Sequence, residues 1–415
     1  MTKSGRQFIH CLVAIAVIFS LSRVGQAAEE PLPDTSIQVK ARNIILLIGD
    51  GMGEGQRTAA RWYSAGLDGQ LVMDRLSAQG FTHTASADSP ITDSAASATA
   101  MATGVKTNNG AIGMDPEYTV LETILERAKM HGKAVGLVTT MQVTHATPAA
   151  FSSHVPSRSM TDAIAQQLLS VGVDVILGGG EDDFLPTSAF GCYPGSGKRI
   201  DGRDLIAEAV SAGFTYVCDA EGFAAVNKDE TTRLIGIFAD EGLLRPYTPS
   251  LEQMTKMAIA ILSQDPDGFF LMVEGGQIDW ACHAQDAENA IGDTLGFDQA
   301  VARAVEFAQS EPLTLVIVAA DHETGGMSVG EIPSGLPSED GPFTMPEGKQ
   351  FYVNWTTDYH TAATVPVSAQ GPAANLASGE FENTYIYDIM FTSAGFADFS
   401  RVFLPLSSHS YGNYP

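Results

Sequence analysis

Four stretches of this chain stay apolar for five to eight residues and then break into an acidic residue or a histidine. Residues 43–48 lead to Asp50, 134–140 to His145, 269–273 to Glu274, and 313–320 to Asp321 and His322. Rich in Val, Ile and Leu and lacking polar alternation, they predict strands buried on both faces, as in the middle of a parallel sheet. Helical patterns lie between them at 119–131, 160–171, 205–212 and Leu251–Leu262, with shorter strand-like runs at 173–177 and Thr215–Val217. This alternation predicts βαβ units, hence an α/β fold with a large, mostly parallel central sheet flanked by helices on both faces. Open α/β sheets bind ligands at the carboxyl ends of their strands. Four such ends carrying carboxylate and imidazole donors point to one site, and to metal.

The pattern changes in two places. Residues 324–357 are rich in Gly, Pro and Ser with few apolar clusters, which predicts a short irregular insertion over the active-site edge of the sheet. At the other end, Lys3 and Arg6 precede an apolar stretch at 11–21 and then the small residues Gly25, Ala27 and Ala28. That order predicts a secretory signal peptide over 1–27 and a periplasmic or secreted protein. The apolar stretch is too short to span a bilayer, so no stable membrane anchor is expected. A leader over 28–42 and a tail over 394–415 carry no identifiable chemistry.

Charge constrains the partners. The chain has 23 Lys and Arg against 49 Asp and Glu, net −26. Residues 1–27 hold three of the bases and no acid, so without them 20 bases face 49 acids, net −29. Such a surface repels nucleic acid, and it repels an anionic substrate too unless the site carries its own positive charge. Of the cysteines past residue 27, Cys192 and Cys218 are close enough in sequence to pair in an exported protein, which the sequence leaves open, and Cys282 reads as a small buried residue.

Two segments carry chemistry. Thr92-Asp93-Ser94-Ala95-Ala96-Ser97 opens a helix of small residues that closes at Gly104. A hydroxyl in its first turn faces unpaired amides and the positive end of the dipole, which suits Ser94 to nucleophilic attack; alone, Asp93 or Ser94 would read as a helix cap. In Val273-Glu274-Gly275-Gly276-Gln277-Ile278-Asp279-Trp280-Ala281-Cys282-His283, Asp279 and His283 are four residues apart and share one helix face, so they can hold one ion.

With these segments, the chain resembles the alkaline phosphatase family. The resemblance runs from about residue 43 to 372 and rests on motifs in family order: Asp50 to Gly53, the Ser94 helix followed by Thr103-Gly104-Val105-Lys106-Thr107, His145-Ala146-Thr147-Pro148-Ala149 leading to Arg158, the Glu274 to His283 segment, Ala320-Asp321-His322, and His360-Thr361. It implies a single catalytic domain over 43–393 and an alkaline phosphatase-like sheet. It further implies two Zn2+, one held by Asp279, His283 and His360 and the other by Asp50, Asp321 and His322, and one Mg2+ held by Asp50, Thr147 and Glu274. Imidazole and carboxylate suit zinc, and an all-oxygen set suits magnesium.

Ser94 would then be the nucleophile of a phosphate monoester hydrolase working through a phosphoserine, with Arg158 gripping phosphate oxygens and Asp93 steadying Arg158. Three divalent ions and Arg158 outweigh the four site carboxylates, and surface charge beyond about 8 Å is screened, so the site would attract an anion. A homodimer is implied by the family alone. Two positions depart from some members: His145 stands where others carry Asp, and Trp280 where others carry Lys or His, so both are placed beside the ligands rather than among them. Related phosphodiesterases and phosphonate hydrolases share the metal frame, but Ser94 with Arg158 favours monoesters. A non-catalytic binder of metal or phosphate would leave the Ser94 helix unexplained.

Overall fold

A computed structural model describes residues 39–331 and 340–396. The expected signal peptide, most of the leader and nearly all of the tail lie outside the described residues. In chain order, the first half holds β1 (Asn43–Gly49), α1 (Glu54–Ala65), β2 (Ala78–His83), α2 (Ser94–Thr103), α3 (Ile124–Met130), β3 (Ala134–Gln142), α4 (Ala146–Ser152), α5 (Thr161–Ser170) and β4 (Val175–Gly179). Then come α6 (Leu205–Ser211), β5 (Thr215–Val217), α7 (Ala220–Ala224), β6 (Leu234–Ile237), α8 (Leu251–Leu262), β7 (Phe269–Gly275), α9 (Gln277–His283), α10 (Ala287–Ser310) and β8 (Thr314–Ala320). The last part has the short strands β9 (Glu323–Thr324), β10 (Ser328–Gly330), β11 (Asp340–Thr344), β12 (Gln350–Asn354) and β13 (His360–Thr361), followed by β14 (Val365–Gln370), β15 (Gly379–Glu382) and α11 (Tyr385–Ala394).

Ten strands form one sheet in the order β15-β2-β14-β8-β1-β7-β3-β4-β6-β5. Only β14 runs against the rest, pairing antiparallel with β2 and β8. The four apolar runs are its four adjacent central strands, β8, β1, β7 and β3. Their continuous hydrophobicity follows from two covered faces. Ile44, Leu46 and Ile48 of β1 join the core beneath α2, α3, α4, α5, α6 and α11, whereas Ile45 and Leu47 join the core beneath α1, α8, α9 and α10. Truncating any of these side chains to Ala would cost about 2–5 kcal/mol.

Local chemistry sets the element ends. The helical pattern from residue 119 begins only at Ile124, because Thr123 and Glu126 form a capping box there. Stretch 324–357 leaves the main sheet, yet its described part is built of strands. β10, β12 and β11 pair antiparallel, and the alternation of β12 turns Phe351 and Val353 inward against α1 and α10. Beside them, β9 pairs with β13 and so sets His360 opposite Thr324. Cys192 and Cys218 are joined as a disulfide and Cys282 is a buried free thiol. No helix of the described residues is long and apolar enough to cross a membrane.

Candidate functional site

The central strands end level with one another, and this gathers the acids. Gly49 lies opposite both Gly275 and Ala320 in register. Asp50, one residue further, is level with Asp321 just past β8, and its carboxylate comes within 4.8 Å of that of Glu274, which lies opposite Ile48 in β7. Gly51 then turns the chain at φ 70°, and its N–H donates to Asp321 Oδ1 at 3.0 Å. A Cβ there would fall 2.7 Å from Thr324 Oγ1 and 3.0 Å from Asp279 Oδ1, so only glycine fits.

Three groups of possible ligand atoms, each within 4.8 Å, occur among the described residues, and all lie here: Asp279, His283 and His360; Asp50, Asp279 and His322; Asp50, His145 and Glu274. In the first, α9 presents Asp279 and His283 on one face, with His283 Nε2 3.3 Å from Asp279 Oδ2 and 3.1 Å from His360 Nε2. The outer ring nitrogens are held by carbonyls, His283 Nδ1 at 2.7 Å from Asp358 O and His360 Nδ1 at 2.8 Å from Thr92 O. In the second, His322 Nε2 is 3.5 Å from Asp50 Oδ1, and Asp321, outside that group, brings its Oδ2 to 3.3 Å from the same nitrogen. Asp279 thus lies between both histidine groups.

Asp93 caps α2 by accepting from Ala96 N at 3.0 Å, which places Ser94 in the first turn. Ser94 Oγ is 3.3 Å from His322 Nε2. The same Asp93 also accepts from Gly110 N and, through Oδ2, from Arg158 Nη1 at 3.1 Å, so it serves both as cap and as anchor of the arginine. Arg158 Nη2 donates to His145 Nε2 at 3.0 Å. Trp280 is partly exposed, its ring edge-on to His145 at 6.5 Å between centroids.

The alkaline phosphatase family model matches residues 41–341, well over half of the chain. The chain belongs to the alkaline phosphatase family. It is 34% identical to alkaline phosphatase 3 of Bacillus subtilis (strain 168), over 92% of this chain and 96% of that protein. Among solved structures it is similar to the alkaline phosphatase of the Antarctic bacterium TAB5, with a TM-score of 0.73 and 31% identity over 86% of this chain and 98% of that one. A His-to-Asp mutant of the TAB5 enzyme is described with Mg bound in its M3 site. As a member of this family, the protein is a phosphomonoesterase.

A metal centre requires residues that fit cations, and the buried electrostatics here do. Both oxygens of Asp50, one of Glu274, one of Asp321, the Thr147 hydroxyl and His145 Nδ1 are buried without a hydrogen-bond partner of normal geometry. Leaving such atoms unmet costs about 1–3 kcal/mol each, more for charged groups, unless something fills the site. Burial, then repulsion from Asp321, Asp279 and Glu274, raises Asp50 well above the usual carboxylate range. Burial likewise lifts Glu274 to about 7 and Asp321 to about 6. It lowers His322 and His360 to about 4 and His145 to about 3, keeping their imidazoles neutral. Burial would also raise Asp279, but the hydrogen bond from His283 and the nearby histidines hold it below the usual range, while that bond lifts His283 to about 9.

Sequence reading missed the hydroxyls that brace these candidate ligands. Thr139, beside Glu274 in register, donates to its Oε2; Ser97 donates to Asp321 O at 2.6 Å; Thr324 lies between Asp279 and His322. The available signal was position, since each stands within three residues of a motif or in the C-terminal half of a buried strand.

Proposed function

We propose that the protein hydrolyses phosphate monoesters through a phosphoserine on Ser94, in a centre where Asp279, His283 and His360 hold one Zn2+, Asp50, Asp321 and His322 a second, and Asp50, Glu274 and Thr147 an Mg2+. The observation that carries this reading is Ser94 Oγ, 3.3 Å from His322 Nε2, beside carboxylate oxygens that are buried and without partners. Bound there, the ions would supply Lewis acidity for the serine hydroxyl, the departing alkoxide and the attacking water. Ser94 Oγ attacks phosphorus in line, its proton passing to solvent, and the alcohol leaves on the opposite side, towards His283 and His360. Water then cleaves the phosphoserine from that side and returns Ser94 and inorganic phosphate. Arg158, held from two directions by Asp93 and His145, keeps an N–H on each terminal nitrogen for the phosphate oxygens.

His145 stands near the Mg2+ position without being a suitable ligand. Because Arg158 can only donate, His145 Nε2 accepts, and the ring's single proton belongs on Nδ1, the atom without a partner. A protonated Nδ1 meets a water ligand better than an ion, so Mg2+ is held weakly; the His-to-Asp mutant of the TAB5 enzyme with Mg bound is in keeping with this. A homodimer and a periplasmic or secreted location complete the reading. Acid quenching during turnover of a 32P-labelled aryl phosphate should leave label on the Ser94 peptide, and Ser94→Ala should lose the label and at least about 10^4-fold in turnover with metal content intact. Turnover near wild type in that variant would remove Ser94 as the nucleophile.

A further inference from the structure

Thr324 is wholly buried, two residues beyond His322. Its backbone is fixed at both ends: its N–H donates to Gly51 O at 3.2 Å, and its carbonyl accepts from Gln56 Nε2 at 2.7 Å. Its hydroxyl oxygen stands 2.5 Å from Asp279 Oδ1 and 3.2 Å from His322 Nδ1. In the proposed assignment these neighbours serve different ions, although Asp279 also lies within reach of Asp50 and His322, and a hydroxyl has one proton to share between them. A separation of 2.5 Å is that of a hydroxyl donating to an ionised carboxylate, so the proton points to Asp279. The oxygen then offers His322 only a lone pair, and His322 must carry its own proton on Nδ1. What remains on His322 Nε2 is a bare lone pair, aimed among Ser94 Oγ, Asp50 Oδ1 and Asp321 Oδ2.

We infer that Thr324 is a positioning residue whose single hydroxyl fixes the tautomer of His322 and the orientation of Asp279 together, so that one group prepares the ligands of both zinc positions. The inference rests on the metal assignment proposed above only for its effect on affinity; the tautomer is a property of the metal-free chain. A hydrogen bond of this kind behind a metal ligand is commonly worth ten- to a hundred-fold in metal affinity. It also explains why glycine is needed at position 51, where any Cβ would press on the same Thr324 hydroxyl and Asp279 oxygen.

The test uses the whole metal-free protein with 15N-labelled histidine rings, and zinc titrated calorimetrically. In wild type and Thr324→Ser, His322 should show the Nδ1–H form; in Thr324→Val it should become a mixture. Zinc should bind the Val variant about ten- to a hundred-fold more weakly at both positions, with the Ser variant close to wild type. Wild-type His322 in the Nε2–H form would overturn the inference without any variant. So would a Val variant that keeps both affinities, or loses only one. Failure of wild type to take up zinc would instead refute the metal assignment, and the ring nitrogen signals would still decide the role of Thr324.

Discussion

Asp298 and Asp50 are both buried acids, and they are used in opposite ways. Asp298 accepts from Val72 N at 2.8 Å and Met73 N at 2.9 Å, tying α10 to the chain after α1. Asp293 is met by Arg245 and by the Tyr247 hydroxyl, and Glu323 by Gln56, Gly326, Met327 and Thr361. Asp50 has no such bond on either oxygen, and Glu274 and Asp321 each leave one oxygen unmet. The first set is met by backbone and side-chain donors of the chain itself; the second leaves oxygens open to something the chain does not supply. An unmet oxygen alone does not mark a site. Asp182 and Asp183 have one each, yet Lys198 lies 2.9 Å from Asp182, and the three-ligand groups among the described residues are all at the central strand ends.

Exchanging the charge in each set should separate them most sharply. Asp50→Asn should lower turnover by about 10^2-fold or more and release zinc, while the thermal midpoint of the metal-free protein holds or rises because a repelled charge is gone. In Asp298→Asn the amide would face two backbone donors, at a cost of about 1–3 kcal/mol in denaturant unfolding with turnover little changed. Loss of stability in the first variant, or loss of metal in the second, would erase the distinction.

A smaller effect follows from protonation. Glu274, lifted to about 7 by burial, and His283, lifted to about 9 chiefly by its bond to Asp279, keep protons in the folded state that the unfolded chain releases at lower pH. Their stabilising contribution is therefore lost as pH rises through those values. His145, His322 and His360 are neutral in both states above about pH 6.5 and add no slope there. The metal-free protein should lose thermal stability between about pH 6.5 and 9, and saturating zinc and magnesium should flatten that fall. The smallest change expected is in His145→Asp, where magnesium should bind several-fold more tightly in calorimetry; equal affinity would count against a proton on Nδ1.

The strands that build the site were legible because burial on both faces leaves an unbroken apolar run, and the acids were legible because they end those runs. What stayed hidden has a physical reason in each case. β2 and β14 lie towards one side of the sheet, and β2 alternates buried and exposed residues, so it lacks the unbroken run. The long helix α10 carries Gly292 and Gly296 among charged residues, which blurs its period. Asp279 was assigned to one ion group, but the fold also brings it to Asp50 and His322. Thr139 reaches Glu274 across 135 residues of sequence and Thr324 reaches Asp279 across 45. Bonds between such distant residues leave no periodicity to read.

In the proposed mechanism the unmet carboxylates at the strand ends hold the ions that activate Ser94. Elemental analysis of the purified protein, with phosphate release from an aryl monoester measured before and after chelation, tests it directly. About two zinc ions per chain, with activity lost on chelation and restored by zinc and magnesium, is the predicted result. A metal-free protein that still turns over substrate would contradict it.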